Sequence, residues 1–397
     1  MKKTIFTLSC IILLILLPGC WNSRELNTLA IVQAVGIDRT EDGQISVSLQ
    51  ILKPSAIKSS SSSGNTNGSK SVWVVTSRGE TVFDAIRNAS MQTDRKAYFS
   101  HNMVYVLSEE IARKGISDEL DLWSRDVEFR ELPYVFISKG KAEDVIRSEH
   151  EQEKIPGQAI EELARLTFAA SKIPEVQLIN LLKNLASKTD DSIIPGITIA
   201  QGNAETSTKN LVELEGTAIL KRDKLIGWFD SRETRGVLWI LGNVKSGIIV
   251  VPTPSDETKK SGVEIIKASS RIVPERVDGN LVLTVNVHAD GNLGEQMSNA
   301  DLVNPEPFKE LEEETASEIK NEIYSAVIKA QKWDVDIFKF GAEVHRQFPK
   351  EWPELERNWP EEFQKIRVNI VVDAKLHWTG LTKKPMQPTT NGGENAK

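Results

Sequence analysis

An apolar run from Ile5 to Leu17, broken only by Thr7, Ser9 and Cys10, follows Lys2 and Lys3 at the start of the chain. A basic start joined to an apolar stretch of about 7–15 residues is the pattern of a secretory signal peptide. The run is too short to cross ~30 Å of hydrocarbon, which takes about 20 residues. Residues 1–19 are therefore expected to be removed as a signal peptide. The sequence holds two cysteines, Cys10 and Cys20, and that cut leaves one. An exported chain has access to disulfides, but one cysteine can form none within the chain. Whatever the remaining body folds into must be held by packing alone.

The run ends Leu17-Pro18-Gly19-Cys20. This ending resembles the lipobox of bacterial lipoproteins, in which a small residue precedes a cysteine that takes a diacylglycerol and becomes the new N-terminus. Cys20 is thus the expected lipidation site, and the lipid bilayer an expected partner. Each buried CH₂ contributes ~0.8 kcal/mol, and two or more acyl chains hold a protein stably where one does not. The tether that follows, Asn22 to Asn27, is short and polar, so the first domain should sit close to the membrane.

Removing the two lysines of residues 1–19 takes the net charge from −7 to −9. An acidic balance argues against nucleic acid as a partner, since its binders display basic patches. Apolar content of 40% and charged content of 26% are those of a globular body with a core. Its length suits two or three domains.

Leu29–Asp38 and Gln44–Leu52, split by Thr40-Glu41-Asp42-Gly43, read as a β-hairpin. Residues 58–71 form a Ser-rich stretch expected to be a flexible loop. A strand at Val72–Thr76 follows, then a helix capped by Thr81 with Val82, Ala85, Ile86 and Ala89 at helical spacing. Met103–Leu107 and Tyr134–Ser138 read as strands, with helices from Ser108 to Gly115 and Ile116 to Trp123 between them. Helices near Ala159–Ala170 and Val176–Ala186 close this half. Residues 201–210 read as a linker, and Leu211–Lys221 with Leu225–Phe229 as a second hairpin. The apolar pattern continues through Val237–Leu241 and Gly247–Val251 to a possible boundary at 252–262. Val263–Val273 and Leu281–His288 form a strand pair around Asp278-Gly279-Asn280. The clearest helix starts at Asn304-Pro305 and repeats Phe308, Leu311, Thr315, Ile319, Ile323 and Val327, with Glu306 facing its positive end. A second helix over Val335–Phe348 and a strand over Ile366–Leu376 follow, before a polar tail at 383–397.

These elements imply an α/β (α+β) class. The expected divisions are an N-terminal α/β domain at 20–200, a small central β-rich domain at 211–254 and a C-terminal α/β domain at 262–380.

No Gly-x-Ser-x-Gly elbow, phosphate-binding glycine loop, His-Glu-x-x-His or Cys-x-x-Cys occurs. The segment from His150 to Lys154 begins like a zinc-protease motif but lacks the second histidine. Ser55-Ala56-Ile57-Lys58 and Ser317-Glu318-Ile319-Lys320 match Ser-x-x-Lys without companion motifs. The five histidines are not spaced as a ligand pair. The expectation is a chain with no catalytic residues, no metal and no cofactor.

Three residue clusters carry a resemblance. The first begins at Cys20-Trp21 and includes Glu25-Leu26, Ala34, Val35-Gly36-Ile37-Asp38, Tyr98-Phe99-Ser100-His101, Arg125-Asp126 and Arg130. The second is Gly216-Thr217-Ala218, Lys221, Lys224-Leu225-Ile226-Gly227, Glu233-Thr234-Arg235-Gly236 and Trp239. The third is Trp333-Asp334, Phe338, Gly341, Pro349, Trp352, Trp359 and Phe363, ending near Gly380. Together with the lipobox they resemble the C subunits of bacterial spore germinant receptors, the Ger(x)C-type lipoproteins. The resemblance implies three successive domains, each a mixed or antiparallel sheet flanked by helices. It also implies a non-enzymatic subunit on the outer face of the spore inner membrane. There it would work with membrane-embedded A and B subunits that sense nutrient germinants.

Tyr98, His101, Arg125, Asp126, Arg130, Glu233 and Arg235 are candidates for a partner interface. Each also has a plainer reading: a capped strand for Tyr98 and His101, an ion-pair network for Arg125, Asp126 and Arg130, and a capped turn for Glu233 and Arg235. Trp333, Trp352, Trp359 and Trp378 fit either an interfacial surface or packing between C-terminal elements. A solute-binding lipoprotein of a membrane transporter is the alternative function, and it requires two similar α/β lobes around a cleft.

Overall fold

The structure, a computed structural model, describes residues 25–54, 56, 70–126, 128–200, 211–254, 256–298, 302 and 304–377. Cys20, residues 58–69 of the Ser-rich stretch, the linker at 201–210, Trp378 and the tail at 383–397 lie outside the described residues.

The hairpin read from the first residues is β1 (Leu29–Arg39) and β2 (Ile45–Leu52), to which β3 (Val72–Gly79) adds on the outer side. On its other side β1 pairs in parallel with β5 (Val104–Ser108), which pairs in parallel with β6 (Tyr134–Ser138) and that with β7 (Ser192–Ile199). The short β4 (Lys96–Tyr98) runs parallel to the opening residues of β1. An antiparallel pair, β8 (Val212–Lys221) and β9 (Lys224–Phe229), completes a nine-stranded sheet.

Central parallel strands are covered on both faces and therefore read as continuous apolar runs. Here Val35, Ile37, Tyr105, Leu107, Val135 and Ile137 feed one core. Their alternate neighbours Ala34, Val104, Val106 and Phe136 feed the other, together with Ile146 and Ile160. The helices α1 (Val82–Ala89), α2 (Glu109–Lys114), α3 (Ser117–Arg125), α4 (Ala142–Ile146), α5 (Pro156–Leu166) and α6 (Leu178–Leu185) cross between the strands. Thr81 caps α1 through the Asp84 N–H at 3.1 Å, and Ser108 caps α2, both as the sequence reads. The cap of α4 comes from far away: the Asp38 carboxylate at the end of β1 accepts the N–H groups of Ala142 at 2.7 Å and Glu143 at 2.9 Å.

In the second sheet β10 (Gly247–Thr253), β11 (Asp256–Val277) and β12 (Asn280–Gln296) run antiparallel, and β13 (Arg367–His377) lies parallel to β12. The β11–β12 turn has positive φ at both Asp278 and Gly279, the geometry that Asp-Gly favours in two-residue hairpins. The long helix α8 (Pro305–Trp333) crosses from β12 towards β13, burying Leu311, Thr315, Ile319, Ile323 and Val327 as their spacing predicts. Three short helices follow it: α9 (Phe340–Gln347), α10 (Trp352–Arg357) and α11 (Trp359–Lys365).

The α/β (α+β) class holds, with two sheets flanked by helices. The segment 211–254, expected as a small central unit, is instead divided between the sheets. Its hairpin continues the first sheet because β7, which sequence reading passes over, supplies an antiparallel partner for β8. Gly247–Thr253 opens the second sheet. Between them the apolar run Val237–Leu241 is helical: α7 (Ser231–Ile240) runs through it, and its apolar residues are buried on every side. Short apolar runs do not separate helix from strand by periodicity. One core cluster then continues from Ile219 and Phe229 through α7 to α8 and the second sheet, so the two sheets share an interior.

Candidate functional site

Helix caps and ion pairs converge at the junction of α7 and α8. Asp230 and Glu233 form a capping box at the start of α7: the Asp230 carboxylate accepts the Arg232 and Glu233 N–H groups, and Glu233 accepts the Asp230 N–H at 2.9 Å. Two residues on, Arg235 is buried, and its Nε donates to Glu322 Oε2 at 2.8 Å. Its Nη2 meets Oε1 of the same carboxylate, and its Nη1 donates to the Ile248 carbonyl at 3.0 Å. Trp239 Nε1 donates to Glu322 Oε2 at 3.0 Å. The guanidinium thus ties α7, α8 and β10 together. Lys329 adds a bridge from α8 to Glu233 at 2.6 Å and to the Trp228 carbonyl at 3.1 Å, and Lys221 on β8 pairs with Asp334 at 2.7 Å.

A second knot lies where α8 ends. Asp334 is left-handed at φ 58°, and the chain then turns around Asp336. Its carboxylate accepts the N–H groups of Phe338 (3.3 Å), Phe340 (3.0 Å) and Gly341 (2.7 Å) and the Trp359 indole N–H (3.1 Å). Burial pushes this carboxyl up to about 7 against those four donors. The expected helix over Val335–Phe348 is interrupted for this reason and begins only at Phe340. Across the junction Asp191 Oδ2 accepts the Asp336 N–H at 3.0 Å and Oδ1 the Arg222 N–H at 2.7 Å; burial raises this carboxyl too.

Beside Asp191 a cavity of about 420 Å³ opens between the two halves. It is walled by the turn at Thr167–Ala169, the start of β7, the C-terminal end of α7 and the residues just before α9. Among the described residues no cluster of His, Cys, Asp and Glu is arranged to hold a metal ion.

The candidate interface residues fall into two groups. Tyr98 lies half-buried at the end of β4, with its ring 6.0 Å from that of the exposed His101. Arg125 is exposed at the end of α3 and pairs with Asp121 at 2.6 Å, a contact that raises the guanidinium and lowers the carboxyl. Asp126 caps the following turn by accepting the Glu128 N–H at 2.9 Å, and Arg130 is exposed beyond it. Phe99 and Phe129, whose rings stand 4.5 Å apart, and the Lys96–Glu128 pair at 2.9 Å bring β4 and this turn together. These five residues therefore share one end of the first sheet.

Glu233 and Arg235 belong elsewhere. Arg235 is buried against Glu322, and the partly buried Glu233 serves the helix cap and Lys329, so both hold the junction. Trp333, Trp352 and Trp359 pack inward, against Gly227 and Phe229, His345 and Phe363 respectively. Glu322, Asp191 and Asp336 are absent from the sequence reading. Glu322 had a signal: it stands between Ile319 and Ile323 on the buried stripe of α8, where a carboxylate needs a cation.

Comparison with known proteins matches the fold just described. Residues 22–199 match the family model for the spore germination protein N-terminal domain, and residues 215–380 the spore germination B3/GerAC-like C-terminal model. Spore germination protein KC of Bacillus subtilis (strain 168) is 26% identical over 97% of this chain and 98% of its own. Spore germination protein B3 of the same organism is 25% identical over 92% and 95%. The crystal structure of the GerBC protein superimposes with a TM-score of 0.54 at 20% identity, covering 86% of this chain and 96% of that one, and supports the fold. The two family models together take in most of the sequence, and the chain belongs to the GerAC-type family of spore germination proteins.

Proposed function

We propose that this protein is the lipid-anchored C subunit of a nutrient-sensing spore germinant receptor. It acts without catalysis, through contacts with membrane-embedded A and B subunits, on the outer face of the spore inner membrane. One observation supports the reading most. The opening residues of β1 pair with Lys96–Tyr98, so the chain enters the fold at the sheet end that carries Tyr98, His101, Arg125, Asp126 and Arg130. Leu29 is nine residues from Cys20, and an extended chain of that length spans at most ~30 Å. An acylated Cys20 keeps that end within reach of the bilayer and of any partner embedded in it. Among the described residues no helix is long and apolar enough to cross a membrane.

A solute-binding lipoprotein would need two similar lobes. The two sheets here differ in strand number and in pairing, nine strands with a parallel centre against four that are mostly antiparallel. The test is purification of the tagged full chain from spore membranes. Recovery of two membrane proteins in stoichiometric amounts is the expected result; recovery of the chain alone would overturn the receptor reading.

A further inference from the structure

We propose that the β3 flank of the end where the chain enters the first sheet rests in the lipid headgroup layer, with Trp73 and Met91 as its apolar contacts. The proposal rests on the reading of Cys20 as an acylated anchor and adds a second, non-covalent attachment to it.

The sheet register places these residues. Trp73 on β3 pairs with Ile51 on β2, and Ile51 with Val32 on β1. Val32 is three residues past Leu29, where β1 begins, and β3 is two strands away from β1. Strands lie ~4.8 Å apart and rise ~3.3 Å per residue, which puts Trp73 about 15 Å from the point of entry. Met91 follows α1 on the same flank, since the adjoining Gln92 donates to the Thr76 carbonyl of β3 at 3.1 Å. Trp73 is 39% exposed and Met91 80%. Neither belongs to a core.

The tether says what covers them. Nine residues separate Leu29 from Cys20, so an anchored chain holds this end within ~30 Å of the bilayer. Tryptophan favours the membrane–water interface, where its ring meets apolar matter and its N–H the headgroups. Lys53, just past β2, and Arg95, just before β4, are exposed at the same end, and among the described residues neither makes an ion pair. Their long side chains carry a cation to the phosphates while their stems stay against apolar surface. Two apolar side chains bind lipid weakly alone. Tethering makes the contact intramolecular, at an effective concentration in the ~mM range, and weak affinity then suffices. An acyl anchor fixes height and leaves the body free to rotate; this second contact fixes orientation. It leaves the other flank of β1, with Tyr98, His101 and Arg130, turned to a partner in the same plane.

The test uses the full acylated chain in vesicles of phosphatidylglycerol and phosphatidylcholine, with no other protein present. Once residues 1–19 are removed Cys20 is the one cysteine, and its acylated sulfur takes no label, so a nitroxide on Met91→Cys is unique. Gly140→Cys carries the same label just past β6, at the opposite end of the sheet. An aqueous nickel chelate should relax the Met91 label about threefold less than the Gly140 label. Adding Trp73→Asp should abolish that difference in chains that still float with the vesicles and melt at the wild-type temperature. Equal relaxation of the two labels in floating chains would overturn the proposal. Protection of the Met91 label in spore membranes but not in the vesicles would overturn it too, because a protein would then cover the surface. Chains that fail to float would sink the anchor reading, and this one with it.

Discussion

Glu322, 1% exposed halfway along α8, receives Arg235 of α7 through two nitrogens of one guanidinium and the Trp239 indole through a third hydrogen bond. Two charges are taken out of water here, and the desolvation is offset only because the remaining donors and lone pairs are also satisfied. Removing one partner leaves the other charged and buried. Glu322→Ala and Arg235→Ala should each destabilise the protein by about 3–5 kcal/mol. Arg235→Met combined with Glu322→Leu should recover much of that loss, because no bare charge remains. Urea unfolding of the four proteins followed by tryptophan fluorescence measures the difference.

The pair depends on a close approach of two backbones. A Cβ on Gly236 would stand 2.2 Å from the Glu322 carbonyl oxygen and 2.8 Å from Ala326 Cβ. Neither is the free end of a side chain, so α7 itself must move. Overpacking of this kind costs typically 1–3 kcal/mol, and Gly236→Ala should lie at the upper end of that range. Gly140 is the control. A Cβ there meets nothing within 4 Å, and Gly140→Ala should change stability by less than about 0.5 kcal/mol.

Asp336 gives the junction a pH dependence of defined sign. Burial raises its folded value from 3.8 to about 7, so folding disfavours the ionised form. The carboxyl's contribution is therefore fully present below pH ~4 and is lost as pH rises through about 7. Asp336→Asn removes this slope. It also turns an NH₂ group towards N–H donors, leaving some of the four unpaired, and should destabilise the protein by about 1–3 kcal/mol or more. Unfolding free energies from pH 4 to pH 8, compared between the two proteins, test both statements.

Local signals account for what could be read in the sequence. Thr81 and Ser108 cap helices by contacts three residues away, and Asp278-Gly279 makes its turn within four residues. The stripe on α8 needs only its own period. The features that escaped are long-range. Asp38 caps a helix more than a hundred residues downstream, and Arg235 finds its carboxylate 87 residues away. β7 carries a proline and a glycine, Pro195 and Gly196, which disguise it as a loop until β6 and β8 pair with it. The cavity draws its walls from positions between Thr167 and Lys339, a juxtaposition that no window along the chain contains. Asp336 was hidden in another way: its carboxylate takes backbone N–H groups two to five residues ahead, a local turn that a helix read over Val335–Phe348 passes over.

The proposed attachment through Cys20 has a direct consequence for partitioning. Acyl chains contribute ~0.8 kcal/mol per buried CH₂, and Cys20→Ala removes the thiol that would carry them. The variant chain should leave the spore membrane fraction after a carbonate wash, while the wild type stays with it. Mass spectrometry of the wild type should show residues 1–19 absent and Cys20 acylated.

The surface at the Tyr98 end makes the sharpest demand on the proposed role. Arg130 and His101 are exposed, so substituting them leaves the cores of the first sheet untouched. Surface changes of this kind usually stay within ±0.5 kcal/mol. At an interface, by contrast, reversing a rim charge places like charges together and suppresses association. Arg130→Glu with His101→Glu should therefore keep the wild-type melting temperature and the membrane attachment, yet lose the two co-purifying membrane proteins and slow germination on nutrient. Glu264→Lys, a charge reversal on the open face of the second sheet, should leave both readouts as they are. If the double variant co-purifies as well as the wild type, the partner contact belongs to another face of the molecule.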